Sequence, residues 1–554
     1  MLNISDNPEE GYSWLRLAAV LFIFLIACIW AQPFRDIGPE TRNALMAREM
    51  IEGGISLIPK ALGRPYPDYP PLYFWLETLF SIPQGHISTL SAVLPSALSA
   101  VGILALTFFF GSTISLHTGW FSVLILATIP KFWLEAGSIT IDMLLAFHTT
   151  ATILCLYFKD HEHRFKYKIA YTAGAGLFLV FAFLTKGPIG IVLPAISWGG
   201  YLLWERRWKN FFSFTLFMAS VGLLCIAIEL FIVYSTGGRQ LVDDVIKMQV
   251  TSRLTDKANK PFYYYLKCML EMGNIWWLVV ISGLTCSGAA KSEKSIFSRF
   301  YKIVTAHRAN RLAIVWFLGT LAIFTIATSK HSRYLLPLYP AAAVVFASLL
   351  ENIFKNGPIL YENIWQNIIN VLTGIILLAG LLFPFLYKQS VFVPLSFVFI
   401  WFAAGIAMWL YIKTRIKEKD RLIALILLFL MAGLSGANLL VIPAFSRMAS
   451  GRAFVEAAES KVDSKLPMVI YGINPDGDGV KFALYSKHKP SELHFINTAE
   501  ELNSIEKPCL LISRLDNKTE LKSILPENNC DKMAEGKIYS KQFIACLLDS
   551  GKVK

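Results

Sequence analysis

The sequence predicts an all-α polytopic membrane domain of about thirteen transmembrane helices, followed by a small C-terminal α/β domain on the outside of the membrane. Three observations predict it. Hydrophobic residues make up 55% of the 554 positions and charged residues only 16%, against about 45–50% and about 25% in a soluble domain. Mean hydropathy is +0.50. Apolar runs long enough to cross about 30 Å of hydrocarbon recur from residue 15 to 443, and the composition turns soluble from about residue 450. Together these exclude a disordered, collagenous or disulfide-framework chain.

The spans are expected at 14–32, 90–111, 117–132, 141–158, 168–185, 188–204, 210–234, 274–292, 311–328, 333–352, 366–388, 391–413 and 421–443. A further apolar stretch, 70–84, is short, rich in Pro and aromatics, and carries Glu77; it reads as an interfacial or re-entrant helix. The net charge is +13, yet residues 444–554 hold 16 basic and 15 acidic residues, so almost all the excess lies in the apolar part. Those basic residues fall in scattered loops, as the positive-inside rule requires, and no single patch suits nucleic acid. Placing the N-terminus in the cytoplasm puts basic loops 159–168, 205–209, 290–311 and 413–421 inside. The acidic tail (Asp6, Glu9, Glu10) opposes that orientation weakly and lacks the basic start of a signal peptide, so the first helix is expected to stay uncleaved. Loops 33–89 and 235–273 then lie outside. The domains are 1–443, in the membrane, and 444–554, soluble.

In the C-terminal part, 452–461 reads as a helix and 468–472 as a strand. The run Pro475-Asp476-Gly477-Asp478-Gly479 reads as a turn cluster, and short strands follow near 492–496, 508–514 and 542–547. The Asp-Gly-Asp-Gly run lacks the spacing and distal Glu of a calcium loop. Four of the eight cysteines fall inside spans, Cys268 borders the second outside loop, and Cys509, Cys530 and Cys546 fall in the outside domain. On an oxidising side one pair of those three can bridge, leaving the third free.

Ionisable residues beside spans are costly and therefore functional candidates. The segment 35–50 holds Arg35, Asp36, Glu40, Arg42, Arg48 and Glu49 directly after the first span. It is either a solvated interfacial helix with ion pairs or a site in which one of its carboxylates is a general base and one of its arginines orients that base or holds phosphate. The stretch 64–75 carries Asp68, Tyr69, Tyr73 and Trp75, either an aromatic belt or the wall of a sugar pocket. Asp142 stands at the mouth of a span, where a helix cap is the plainer reading. Lys186 lies in Thr185-Lys186-Gly187-Pro188, and Arg253 precedes Pro261-Phe262-Tyr263-Tyr264-Tyr265. The outside loop Ser329-Lys330-His331-Ser332-Arg333-Tyr334 is basic against the positive-inside rule, which strengthens a functional reading. Outside cations next to the bilayer suit a phosphate headgroup, and nearby carboxylates add acid–base capacity.

These motifs resemble, in order over residues 15–345, the lipid-linked-sugar glycosyltransferases of the GT-C fold. The likeness is to the aminoarabinose–lipid A transferase and protein O-mannosyltransferase-like group. Family members read Pro-Asp-Glu-x-Arg-Tyr-Ala and then Ala-Arg-Glu-Met; here stand Gly38-Pro39-Glu40-Thr41-Arg42-Asn43-Ala44 and Ala47-Arg48-Glu49-Met50. The family's catalytic Asp falls on Pro39. Its Tyr-Phe-Asp/Glu-Lys-Pro-Pro-Leu motif is Tyr66-Pro67-Asp68-Tyr69-Pro70-Pro71-Leu72, with Tyr69 in place of the phosphate-binding Lys.

The resemblance implies a polyprenyl-phosphate sugar donor, undecaprenyl above all. Arg42, Lys186, Arg253, Arg333 and Tyr334 would hold its phosphate. Asp36, Glu40 and Asp142 would be the catalytic carboxylates, and Asp68, Tyr69, Tyr73 and Trp75 would line the substrate pocket. The sugar would be 4-amino-4-deoxy-L-arabinose or another aminosugar or hexose, and the acceptor lipid A, another glycolipid or a protein. No cofactor is implied by the residues themselves; relatives that hold a divalent ion would place it at Asp68. A monomer in the bacterial inner membrane, contacting membrane lipids and no nucleic acid, is expected. The competing classes are a catalytically altered, lipid-binding relative, to which Pro39 and Tyr69 point, and a transporter. A transporter would more often show the internal repeats that are missing from this sequence.

Overall fold

A computed structural model describes residues 8–38, 40–255, 260–289, 296–356, 359–386, 394–463, 465–515 and 530–548. Pro39, Asp6, Lys294 and the side chains of Glu9, Glu10, Arg299, Cys286 and Cys530 lie outside the described residues. Within the described residues, all thirteen expected spans fall on helices. Ten helices among the described residues are long and apolar enough to cross a membrane, from Trp14–Phe34 to Asp420–Ala449. The other three segments differ. Leu116–Ala127 and Ile189–Trp204 are short apolar helices, about 18 and 24 Å at 1.5 Å per residue. Tyr264–Met272 and Ile275–Thr285 form one pair bent by 79°.

The helix Ile141–His161 and the segment Ser332–Phe354 are almost wholly enclosed, whereas the helices over Trp208–Thr251 and Leu395–Arg415 turn large side chains such as Phe212, Leu216, Phe231 and Ile400 outward. Apolar side chains facing outward over a whole span are what hydrocarbon selects.

The segment between the first two spans, expected outside, is a structured cap. It contains the helix Thr41–Gly53, a hairpin pairing Lys60–Ala61 with Arg64–Pro65, and the helix Leu72–Ser81, which at ten residues is too short to cross. The second segment expected outside begins where Gly237 and Gly238 break the helix Trp208–Ile246, three residues beyond the end of the expected span.

The C-terminal residues form a five-stranded sheet in the order His494–Ile496, Met468–Tyr471, Cys509–Arg514, Lys541–Leu548, Cys530–Ile538. The first three strands run parallel and the last two antiparallel. Cys546 is disulfide-bonded, and Cys509 is a buried free thiol.

The sheet domain is clipped to the cap through Arg48. Its guanidinium donates to the carbonyls of Ala483, Leu484, Ser486 and His488 at 2.7–3.1 Å and to Glu52 at 2.6 Å. One planar cation thus satisfies the open end of the helix Val480–Tyr485, where carbonyls lack helical partners. Tyr485 Oη donates to the carbonyl of Ile37 at 2.8 Å. Gly38 lies so close to the helix Ile442–Ala449 that a Cβ would stand 2.7 Å from the Ser446 carbonyl oxygen. Replacing Arg48 with Ala is expected to lower stability by about 2–3 kcal/mol, the scale of hydrogen bonds to a charged group. Faster proteolysis between 449 and 452 and a lower unfolding temperature in detergent would show it; unchanged values would mean the clip does not hold the domain.

Candidate active site

The site is assembled at helix ends. Asp142 occupies the first turn of Ile141–His161, and Lys186 the last turn of Phe165–Lys186. Each charge matches the helix dipole at its end. The Thr-Lys-Gly-Pro motif explains the second end. Thr185 shares a hydrogen bond with His148 Nδ1 at 3.1 Å, fixing the two helices against each other. Gly187 takes φ +68°, which lets the chain reverse, and Pro188 starts the next helix. A Cβ on Gly187 would also meet Gln249 Oε1 at 2.5 Å.

Lys186 Nζ hydrogen-bonds Asp142 Oδ1, and Arg333 Nε lies 3.0 Å from Asp142 Oδ2. Asp142 is buried, so this pairing replaces its lost hydration. Lys186 Nζ also sits 4.1 Å from the centre of the Tyr334 ring, a cation–π contact. Arg253 Nη2 bonds Asp68 Oδ1 at 2.6 Å and Tyr69 Oη at 3.4 Å. The Arg253 carbonyl in turn accepts from the amide and hydroxyl of Thr328, tying the second outside loop to the segment before Arg333. Three cations therefore face two carboxylates around Tyr69 and Tyr334, an excess of one positive charge.

The cluster opens into a cavity of about 300 Å³ with mostly apolar walls, among them Val192, Phe324 and Ile326. A second apolar cavity of about 270 Å³, with Trp75 and Val233 in its wall, lies on the other side of Tyr69 and Gln249. Gln249 is fixed by bonds to the Pro67 carbonyl and to Glu229.

Glu40 adjoins the cluster. Partial burial pushes its carboxyl up to about 7, the Glu135 carboxylate adds to the push, and Arg333 and Lys131 oppose it. Arg333 thus lies between Asp142 and Glu40. Glu135 itself pairs with Lys131 at 2.5 Å. Glu135 and Gln249 were not anticipated. The Lys131–Glu135 spacing of four in the helix Pro130–Ala136 was the available signal for the first; nothing in the sequence marks the second.

The other expected site residues lie elsewhere. Asp36 lines a separate polar cavity of about 390 Å³ and faces Arg452 at 3.5 Å. Arg42 bonds the Tyr66 hydroxyl and the Asp476 carbonyl, so it braces the C-terminal domain and takes no part in the Lys186–Asp142–Arg333 cluster. Tyr73 is fully buried, with its hydroxyl 2.9 Å from Ser96 Oγ; it is a core residue and no pocket wall, because the helix Leu72–Ser81 turns it toward Thr89–Ser112. Trp75 lines the second cavity, its indole N–H bonded to the Ser56 carbonyl. A divalent ion at Asp68 does not fit this donor set. Asp68 faces a guanidinium, and no group of three His, Cys, Asp or Glu side chains converges among the described residues. Asp142→Asn would leave Lys186 and Arg333 confronting each other without a counter-charge. An expected loss of about 3–5 kcal/mol, measured as thermal stability in detergent, checks the pairing.

Residues 68–233 match the family model described as dolichyl-phosphate-mannose-protein mannosyltransferase. An uncharacterized protein of Aquifex aeolicus is 27% identical over 395 residues, 69% of this chain and 82% of that one. The undecaprenyl phosphate-alpha-4-amino-4-deoxy-L-arabinose arabinosyl transferase of Pectobacterium carotovorum is 24% identical over 412 residues, 69% of this chain and 68% of that one. In structure, ArnT from Cupriavidus metallidurans bound to undecaprenyl phosphate superposes with a TM-score of 0.72 at 17% identity, over 97% of this chain and 98% of that one. With these motifs on this whole-chain fold, the protein is a multi-pass membrane glycosyltransferase, similar to the aminoarabinose and protein mannosyl transferases.

Proposed function

We propose that the enzyme transfers a sugar from undecaprenyl phosphate to lipid A at the periplasmic face of the bacterial inner membrane, with its N-terminus in the cytoplasm. The observation that carries this reading is the half-buried cluster of Lys186, Arg253 and Arg333, of which Lys186 and Arg253 line an apolar cavity. A polyprenyl phosphate needs that combination, an anion site beside a channel for hydrocarbon. The printed names of the arabinosyl transferase relatives support 4-amino-4-deoxy-L-arabinose as the sugar.

In this mechanism an oxygen of the acceptor attacks the anomeric carbon as the bond to the donor phosphate breaks. The bonding pair leaves on the phosphate, where Lys186, Arg253, Arg333 and the Tyr334 hydroxyl stabilise the developing charge. Attack from the opposite side inverts the anomeric centre. Asp142 holds Lys186 and Arg333 in place before the donor arrives. Glu40, with a carboxyl near 7, accepts the acceptor's proton. It fills the role that the family gives to the position of Pro39. Tyr69 stands between the two cavities and against Arg253, so a ring and a hydroxyl replace the family lysine's charge there.

The test is mass spectrometry of lipid A from cells with and without the gene. A pentosamine-sized mass on lipid A that vanishes with the gene is expected; lipid A that is identical in both strains while the protein is made would reject the reading. With purified enzyme, turnover should rise with pH through about 7, because Glu40 acts only when deprotonated. Glu40→Gln should cost about 10²–10³-fold and flatten the profile. A profile unchanged by the substitution would remove Glu40 from the role of base. Lys186→Ala should lower turnover by at least about 10²-fold and weaken binding of undecaprenyl phosphate.

A further inference from the structure

A second cluster of cations lies on the C-terminal domain. Asp478 is approached by Lys481 Nζ at 3.2 Å, Arg514 Nη2 at 2.9 Å and Lys541 Nζ at 2.7 Å. The three cations come from three separate pieces, the helix Val480–Tyr485 and the strands Cys509–Arg514 and Lys541–Leu548. One carboxylate neutralises one of them, which leaves an excess of two positive charges among the described residues. Asp478 is buried, whereas the side chains of Arg514 and Lys541 keep 31% and 45% of their exposure. Arg514 Nε is buried without a hydrogen-bond partner. Like charges held this close repel unless an anion joins them.

The cluster is also placed near the chemistry. Lys481 Nζ stands 4.8 Å from the ring centre of Tyr539, at the turn joining the last two strands. The Tyr539 amide bonds the Met448 carbonyl at 2.9 Å, and its hydroxyl lies within electrostatic reach of Glu40. From the other side Arg42, two residues after Glu40, holds the Asp476 carbonyl in the turn that carries Asp478.

We propose that Lys481, Arg514 and Lys541 form an anion site that holds a phosphate of the acceptor beside Glu40, so that the acceptor is a phosphorylated glycolipid and not a neutral glycan or a protein hydroxyl. The inference rests on the transferase reading above and adds the recognition chemistry of its acceptor. Arg514 offers a planar fork and the lysines offer point charges, the combination that suits a phosphate. Asp478 keeps the three cations together in the free enzyme and competes with the incoming anion.

The experiment uses the full-length protein in phosphatidylcholine nanodiscs, with binding of bisphosphorylated lipid A and of enzymatically dephosphorylated lipid A measured by fluorescence. Lys541→Gln and Arg514→Gln are each expected to weaken binding of the phosphorylated form by about tenfold and leave the dephosphorylated form unchanged. Asp478→Asn is expected to tighten it, since a competing carboxylate is gone. Binding of undecaprenyl phosphate should be the same in all variants, which shows that they are folded.

Equal affinity in wild type and in the lysine and arginine variants would overturn the proposal. So would weaker binding in Asp478→Asn, the mark of a purely structural ion network. Inorganic phosphate alone binding as tightly as the lipid and displacing it would mean a free-anion site and overturn the acceptor assignment. Failure of the transferase reading looks different: lipid A would bind as expected while no sugar moves from the undecaprenyl-phosphate donor.

Discussion

The convergence of Lys186 and Arg333 on Asp142 is the constraint from which the membrane half of the site follows. A carboxylate at the start of an enclosed helix is tolerable only with counter-charges in contact. Lys186 must therefore end its own helix at the same level, and Gly187 and Pro188 must turn the chain at once. Arg333 must come from the segment after the helix Arg308–Ile326, and that segment is held by Thr328 through the backbone of Arg253. Four separate stretches of chain are thus registered to one point at the membrane face. The same pairs leave one net positive charge where the apolar cavity opens.

Charge satisfaction at the cap follows a parallel logic with a different result. Arg35, Arg42 and Arg48 all sit within the segment that looked richest in catalytic groups, yet each is committed to backbone or amide oxygens. Arg35 bonds the Gly137 carbonyl and Asn438, Arg42 the Asp476 carbonyl, and Arg48 four carbonyls of the C-terminal domain. The Ala-Arg-Glu-Met motif is architectural in the same sense, since Glu49 accepts the amide of Gly63 and so closes the cap hairpin. Only Glu40 in this segment keeps a carboxyl in the neighbourhood of the donor cluster.

The spans were legible because hydropathy alone dictates them, and the break at Gly237-Gly238 fell close to where the apolar run ends. The charge cluster was legible too, since Asp142, Lys186, Arg253 and Arg333 are charges in places where charge is expensive. What the sequence could not distinguish was a cation aimed at a ligand from one aimed at a carbonyl. Arg42 and Arg253 look alike in the chain; only the approach of the residue 475–479 turn separates them. Tyr73 was misplaced for a related reason, since an aromatic in a Pro-rich segment reads the same whether its ring faces a pocket or the core. The strand Cys530–Ile538 was missed because it is a sheet edge, where charged residues such as Asp531, Lys532 and Glu535 mask the strand pattern.

The clip between Arg48 and the C-terminal domain joins the two ends of the polypeptide, and this bears on how the enzyme comes into being. Membrane helices enter the bilayer in the order of synthesis, and domains fold as they emerge. The cap that carries Glu40 is made early, but the carbonyls that Arg48 needs follow about 435 residues later. Until these have folded, Arg48 has no carbonyls to bind. The contact is consequently made late in biogenesis, and a chain terminated before the sheet domain would hold the charges of Asp142, Lys186 and Arg333 with Arg48 unpaired from those carbonyls.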